Sequence, residues 1–235
     1  MKRFLVSVGA LVFGAILQTT TAHAQYRSFI TGDAGWYWRA DVGATIPMDG
    51  HIREFGGFSS GQKLSYDTGM GVDAAFGYMF NKYVGTEVEG GFTWNSINSV
   101  EGASIHDTSF GTAPILANVI LQYPIAQTRV TPYVGGGVGG AGTFFDTDSF
   151  FRTVPGGSIG LHGSESDFAF AWQGLAGLRV ALNDKMSIGV GYRYLHVDPS
   201  TFTFDPAHHH GGPSLDLGIS AHESHMVAVT FLMKL

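Results

Sequence analysis

The last thirteen residues, Glu223 to Leu235, constrain the fold of this chain more than any other stretch. From Val227 to Leu235 every second residue is apolar, and the residues between them are small or mixed and end in Lys234. A period of two residues predicts a β-strand with two different faces. An apolar face opposite a face that ends in a charge is typical of a strand with lipid outside it and a polar lumen inside.

The amino terminus has the features of a secretory signal peptide. Two cations, Lys2 and Arg3, precede an apolar stretch, and Ala22-His23-Ala24 is a typical cleavage site. Cleavage after Ala24 is therefore predicted, with 1–24 as signal peptide and 25–235 as one domain. Removal of Lys2 and Arg3 lowers the 13 cations to 11 against 19 acids, a net charge of −8. Such a charge argues against a nucleic acid partner.

The composition excludes several other classes of secreted protein. No later apolar run reaches the roughly 18–20 residues that a membrane helix needs. The chain has 34 glycines, 13% aromatic residues and no cysteine, so no disulfide framework can support it. A closed β-sheet suits this composition, because glycine eases the curvature of strands.

The alternation of the last strand recurs seven times along the chain. The eight predicted strands are Trp36–Ile46, Thr68–Phe80, Tyr83–Trp94, Thr112–Tyr123, Arg129–Thr143, Phe168–Leu182, Met186–Val197 and the closing strand. The faces of the fifth strand cannot be assigned, because most of its centre is glycine.

The predicted connections alternate strictly between long and short. The long ones, treated as loops, are 47–67, 95–111, 144–167 and 198–222. This rhythm predicts an all-β fold, an eight-stranded antiparallel up-and-down transmembrane barrel with both termini in the periplasm. The alternative is a soluble lipocalin-like barrel, which would place apolar residues inside. Charges on the minority face and aromatic residues near the strand ends favour the membrane barrel.

Several sequence stretches resemble the small outer-membrane β-barrel family. They are W-Y-W-R-A-D-V-G-A in the first strand, T-P-Y-V-G-G-G-V-G-G-A in the fifth and the alternating carboxyl-terminal strand. That family includes the opacity-type proteins, the porin-like surface antigens and the transmembrane domain of OmpA. The resemblance implies an outer-membrane location, contact with lipopolysaccharide and insertion by the barrel assembly machinery. It also implies a structural, adhesive, surface-antigen or small-solute channel function.

Charged residues on the predicted inner faces form the main candidate site. They are Arg39, Asp41, Asp73, Glu87, Glu89, Arg179, Arg193 and Lys234. The lumen of an eight-stranded barrel is just wide enough for side chains to fill. One hypothesis is therefore an ion-pair network that plugs the lumen, since unpaired buried charges are very costly. The other is a narrow ion path that opens when these pairs exchange.

Two other constellations are weaker candidates for chemistry. His208, His209 and His210 could ligate a metal, but three consecutive histidines cannot all face one ion in a regular element. His222 and Ser224 share a face, as in lipid-modifying outer-membrane enzymes, yet nothing supplies a third group.

Six phenylalanines in the long connections predict contact with the barrel mouth, lipopolysaccharide or a ligand on a host or neighbouring cell. They are Phe144, Phe145, Phe150, Phe151, Phe202 and Phe204. The chain is therefore expected to be a non-catalytic outer-membrane barrel without a cofactor. A narrow solute channel is the first alternative and a lipid-modifying enzyme the second.

Overall fold

The computed structural model describes residues 34–154, 157–204 and 215–235, so the predicted signal peptide lies outside the described part. Within these ranges, no helix is long and apolar enough to cross a membrane. The described strands are β1 (Gly35–Pro47), β2 (Gly50–Phe55), β3 (Phe58–Tyr66), β4 (Gly69–Met79), β5 (Val84–Val100), β6 (Ala103–Gln122), β7 (Val130–Val154), β8 (Gly157–Ala181), β9 (Met186–Val197), β10 (Ser200–Phe204), β11 (Leu215–Ile219) and β12 (His222–Lys234).

Eight of these strands close into a ring, in the order β1, β4, β5, β6, β7, β8, β9, β12 and back to β1. All pairs are antiparallel, which confirms the predicted eight-stranded barrel. The closing strand β12 pairs with β1 from Tyr37↔Lys234 to Pro47↔Ser224. Closure satisfies the backbone donors and acceptors that an open edge would leave unpaired in hydrocarbon.

The ring strands turn apolar residues outward and polar residues inward. Val42, Val72, Val88 and Val229 are between 47% and 61% exposed on the outer face. Such exposure along every strand is costly in water and is expected where lipid covers the wall. The structure also assigns the fifth predicted strand, because β7 buries Tyr133 in the lumen.

The prediction that four long connections are loops was wrong over most of their length. Two hairpins, β2–β3 and β10–β11, occupy much of 47–67 and 198–222. Strands β5 to β8 continue through 95–111 and 144–167, apart from turns, while 155–156 and 205–214 lie outside the described part. In these segments the polarity of the strands reverses, so that the inner face is apolar and the outer face polar. Their glycine and serine content therefore does not indicate loops.

One ladder of the ring is interrupted by a proline. The β5–β6 pairs Gly90↔Ile115 and Thr93↔Thr112 keep one register, but the two pairs between them are missing. Pro114 has no N–H to donate towards β5, whereas its pairing with β7 is retained. The interruption is thus a missing hydrogen bond and not a bulge.

We expect Gly77→Ala to destabilise the barrel much more than Gly90→Ala. A Cβ at Gly77 would lie 2.5 Å from Cζ of the buried Tyr37 and 2.7 Å from the Thr86 carbonyl oxygen. A Cβ at Gly90 would have no neighbour within 4 Å. Overpacking of this kind costs about 1–3 kcal/mol. Urea unfolding of the two variants in lipid vesicles, followed by tryptophan fluorescence, measures the difference, and equal midpoints would contradict this account.

Candidate functional site

Arg39 on β1 is the centre of a buried charge network in the lumen. Its Nη2 atom lies 2.7 Å from Glu87 Oε1 and 2.7 Å from Glu89 Oε2. Its Nη1 atom contacts Asp41 and lies 3.7 Å from Asp73 Oδ1. One guanidinium group therefore faces four carboxylates, which come from three neighbouring strands, β1, β4 and β5.

Arg193 on β9 supplies the second cation of the network. Its Nη2 atom lies 2.9 Å from Asp73 Oδ2 and 2.9 Å from Glu89 Oε1. The four carboxylates thus share two guanidinium groups, although the predicted lumen set as a whole has equal numbers of acids and bases. We define these six residues, Arg39, Asp41, Asp73, Glu87, Glu89 and Arg193, as the charge network.

Neutral side chains donate further hydrogen bonds to three of these carboxylates, those of Asp41, Glu87 and Glu89. Tyr37 Oη donates to Glu87 Oε2 at 2.9 Å, and Asn118 Nδ2 donates to Glu87 and Glu89 at 3.1 and 2.9 Å. Gln173 Nε2 donates to Glu89 at 3.0 Å and to the Asn118 oxygen at 2.8 Å. Thr230 donates to Asp41.

The contributions of Tyr37 and Thr230 were missed from the sequence, although their positions held a usable signal. Tyr37 is two residues before Arg39 and so shares its face, and Thr230 lies opposite Asp41 across the closing pair of strands. Polar side chains on an inner face that already contains charges are expected partners for those charges.

The structure places the two remaining predicted bases apart from the network. Arg179 Nη2 donates to Gln122 Oε1 at 2.6 Å, and its guanidinium carbon lies 4.5 Å from the centre of the Tyr133 ring. Lys234 is at the end of β12, opposite Tyr37 in register, and is partly buried. Six of the eight predicted residues are therefore brought together.

Little free space remains around the charges. A cavity lined by Arg39, Asp41, Asp73 and Arg193, among others, has a volume of about 10 Å³. This is room for about one water molecule. At this level the lumen is filled by side chains.

An apolar cluster fills the barrel above the charge network. We call it the cap; its buried members are Ile52, Phe55, Leu64, Ile97, Val100, Phe110, Phe145, Phe202, Phe204, Leu217 and Ile219. The ring of Phe202 lies 5.8 Å from that of Phe145 and 6.4 Å from that of Phe110. Three of the connection phenylalanines, Phe145, Phe202 and Phe204, therefore pack inside the end of the barrel that lies opposite Gly35 and Leu235. The side chains of Phe150 and Phe151 lie outside the described part.

His222 lies at the junction between the lumen and the cap. It is five residues before Val227, the first lipid-facing residue of β12, and its ring packs 5.4 Å from that of Tyr66 and 4.8 Å from that of Phe110. Neither ring nitrogen has a hydrogen-bond partner in the described structure. Burial lowers the pKa of His222 from its ordinary 6.5 to about 4, since a cation would be poorly solvated there.

The geometry supports neither a metal site at the three consecutive histidines nor a catalytic pair of His222 and Ser224. The three consecutive histidines lie outside the described residues, and the described part contains no group of three or more His, Cys, Asp or Glu side chains that could hold a metal. Ser224 is buried on the same face as His222, but the unpartnered nitrogens of His222 show no nucleophile–base hydrogen bond.

Arg39→Met should destabilise the barrel far more than Arg179→Met. Removal of Arg39 leaves four carboxylates with one guanidinium group, and breaking a buried pair costs about 3–5 kcal/mol. Arg179 contacts an amide and an aromatic ring, so its loss strands no carboxylate. The measurement is the free energy of unfolding of each refolded variant in lipid vesicles. A loss at Arg179 as large as that at Arg39 would contradict the central position of Arg39.

The pKa of His222 predicts an acid-sensitive cap. Because this pKa is lower in the folded than in the unfolded chain, the unfolded chain binds more protons between about pH 6.5 and pH 4. The contribution of His222 to the free energy of unfolding should therefore fall by about 3 kcal/mol as the pH decreases through this window, and should change little above it. His222→Phe should remove this component, whereas His106→Phe, whose histidine side chain is 76% exposed, should retain it. Parallel pH profiles for wild type and His222→Phe would refute the assignment.

Comparison with known proteins agrees with this architecture. The crystal structure of Neisserial surface protein A superposes with a TM-score of 0.53 and 16% identity, over 86% of this chain and 99% of that one. The outer membrane protein OprG from Pseudomonas aeruginosa gives a TM-score of 0.59 and 15% identity, over 88% of this chain and all of that one (100%). At such low identity, these similarities concern the fold alone.

Sequence comparison adds a relative and a family. An uncharacterized protein of Brucella suis is 26% identical over 198 residues, which are 70% of this chain and 69% of that protein. Residues 8–215 match the family described as outer membrane protein beta-barrel domain, which is most of the chain. The chain therefore belongs to this family of outer-membrane β-barrels, and its location is the outer membrane.

Proposed function

We propose that this protein is a non-catalytic outer-membrane barrel with a sealed lumen, which serves the envelope structurally and presents a rigid extracellular surface. The observation that carries the proposal is that two fillings lie in series along the barrel. The charge network closes the membrane-level lumen, and the cap closes its extracellular end. A solute would have to displace both.

The chemistry of the two fillings supports a seal. Arg39, Glu87 and Glu89 are each at least 95% buried, so their charges depend on one another and on neighbouring amides. The described members of the cap are all apolar, and its phenylalanine rings pack edge to face and tilted against each other. Ion entry would require both desolvation of the ion and rearrangement of aromatic packing.

The extracellular part supports a surface function. The hairpins β2–β3 and β10–β11 join β5 in one sheet, so the surface is presented on paired strands. Exposed acids, including Asp49, Glu54 and Asp146, contribute to its polar outer side. We assign contact with a ligand on a host or neighbouring cell to this exterior, and contact with lipopolysaccharide to the outer wall of the barrel below it. The barrel assembly machinery would insert the chain after removal of residues 1–24.

A narrow channel is the second candidate, and one observation favours it. Arg39 faces four carboxylates at once, so its guanidinium group can change partners without losing all its ion pairs. Exchange of this kind next to a water-sized cavity could open a path for small ions.

Single-channel recording separates the two candidates. Refolded wild-type protein in a planar bilayer should be silent at neutral pH, because both fillings block the lumen. Its folded state is checked by the heat-dependent shift in gel mobility. A Phe145→Ala, Phe202→Ala variant, which empties part of the cap, should also be silent because the charge network remains. Discrete and repeatable openings of the wild type would overturn the sealed barrel and establish the channel.

A further inference from the structure

The outer wall of the barrel has a polar aromatic cluster on β8, β9 and β12. We call it the rim patch; its members are Trp172, Tyr192, Tyr194, His196, Glu223 and His225. In register, Trp172 lies opposite His196, which lies opposite Glu223, and Tyr194 lies opposite His225. These residues are outside the lumen and take no part in the charge network or the cap.

On β9 and β12 the rim patch begins where the apolar wall ends, whereas on β8 the apolar wall continues past Trp172 to Phe170 and Phe168. On β12, the lipid-facing Val229 and Val227 are followed towards the extracellular side by His225 and Glu223. On β9, Ile188 and Val190 are likewise followed by Tyr192, Tyr194 and His196. Aromatic side chains with polar tips are enriched at this level of a membrane. The patch therefore faces the headgroups of the outer leaflet.

Contacts within the rim patch hold its rings in place. Tyr192 Oη lies 2.6 Å from Nδ1 of His225, and the Tyr194 ring lies 5.4 Å from the His225 ring. The Trp172 ring stacks on His196 at 5.4 Å with an angle of 23°. Since the rings are already ordered, a ligand would bind without immobilising them.

Hydrogen-bonding groups surround the rings. His196 Nδ1 lies 3.2 Å from Glu223 Oε1, and its Nε2 lies 3.4 Å from Oδ1 of the neighbouring Asp198. Asp198 keeps about half of its side chain exposed (51%). Carboxylate oxygens and imidazole nitrogens beside flat aromatic faces match the hydroxyl groups and C–H faces of a pyranose ring.

The charge of Glu223 in the rim patch and that of the neighbouring Asp198 determine which headgroups the patch can bind. Glu223 and Asp198 would repel a phosphate, whereas they accept hydrogen bonds from sugar hydroxyls. We propose that the rim patch binds the sugar headgroup of an outer-leaflet glycolipid. This inference rests on the proposed membrane orientation and names the surface through which lipopolysaccharide contact occurs.

A pair of matched tryptophan variants tests the proposal. Trp172 and Trp94 both face outward near the extracellular end of the wall, with 38% and 43% exposure, but Trp94 is on β5, outside the patch. The refolded protein in detergent is titrated with dephosphorylated lipid A, and the midpoint of thermal unfolding is followed by circular dichroism. For Trp172→Leu, the glycolipid concentration that gives half of the maximal rise should increase about threefold to tenfold. For Trp94→Leu, it should stay at the wild-type value.

Other outcomes would overturn the proposal. Equal losses of glycolipid affinity in the two variants would show that any aromatic residue at the membrane interface has this effect. A response only to phosphorylated lipid A would identify phosphate as the ligand. If Trp172→Leu changes the sedimentation of the protein from dimer to monomer, the patch binds a second copy. The Asp198→Asn variant is an independent test, because it keeps the packing of Trp172 and should still weaken binding of the glycolipid. Conducting wild-type barrels would refute the sealed lumen but leave this comparison intact.

Discussion

A closed ring of eight strands encloses a space that only side chains can fill, and the burial of charge inside it governs the rest of the structure. Arg39 cannot be solvated in the lumen, so carboxylates from β1, β4 and β5 surround it, and Arg193 from β9 compensates two of them. The uncharged donors Asn118 and Gln173 add hydrogen bonds to Glu89 Oε2, the oxygen that Arg39 also contacts. These contacts join strands on opposite sides of the ring, so the network sets which inner faces must be polar.

The same strands reverse their polarity as they leave the membrane. On β5, Glu87 and Glu89 point into the lumen and are followed by Thr93 and Asn95 and then by the apolar Ile97. The inner face thus passes from charged to neutral polar to apolar along one strand. Because water replaces lipid outside, an apolar filling becomes favourable inside, and the barrel continues as a conventional core. His222 lies where these two fillings meet.

Sequence periodicity was sufficient to predict the eight strands of the ring, but it did not predict that these strands and two hairpins extend beyond the membrane. Strand Met186–Val197 was predicted with the bounds that the structure has, because side chains of alternating polarity mark both of its faces. The centre of β7 contains too many glycines for its faces to be assigned from sequence. Above the membrane, the alternation of buried Asn95 and Ile97 with exposed Ser96 and Asn98 was hidden, because three of these four residues are polar and also occur in loops. The eight lumen charges were recognised from the strand faces that they share. Six of them form the charge network, while Arg179 and Lys234 do not. This division depends on the stagger of the strands, which the sequence does not specify.

The charge network in the lumen contains twice as many carboxylates as guanidinium groups. Four carboxylates with two guanidinium groups repel one another unless neutral donors or a proton offset the excess, and Asp41 and Asp73 are direct cross-strand partners. A network with equal numbers of acids and bases could adopt a single set of ion pairs. In this network, several carboxylates compete for the guanidinium group of Arg39. In the sealed barrel that we propose, the apolar cap keeps water and ions from the extracellular side away from a network that they would otherwise stabilise in other arrangements. The two fillings are then complementary parts of one seal.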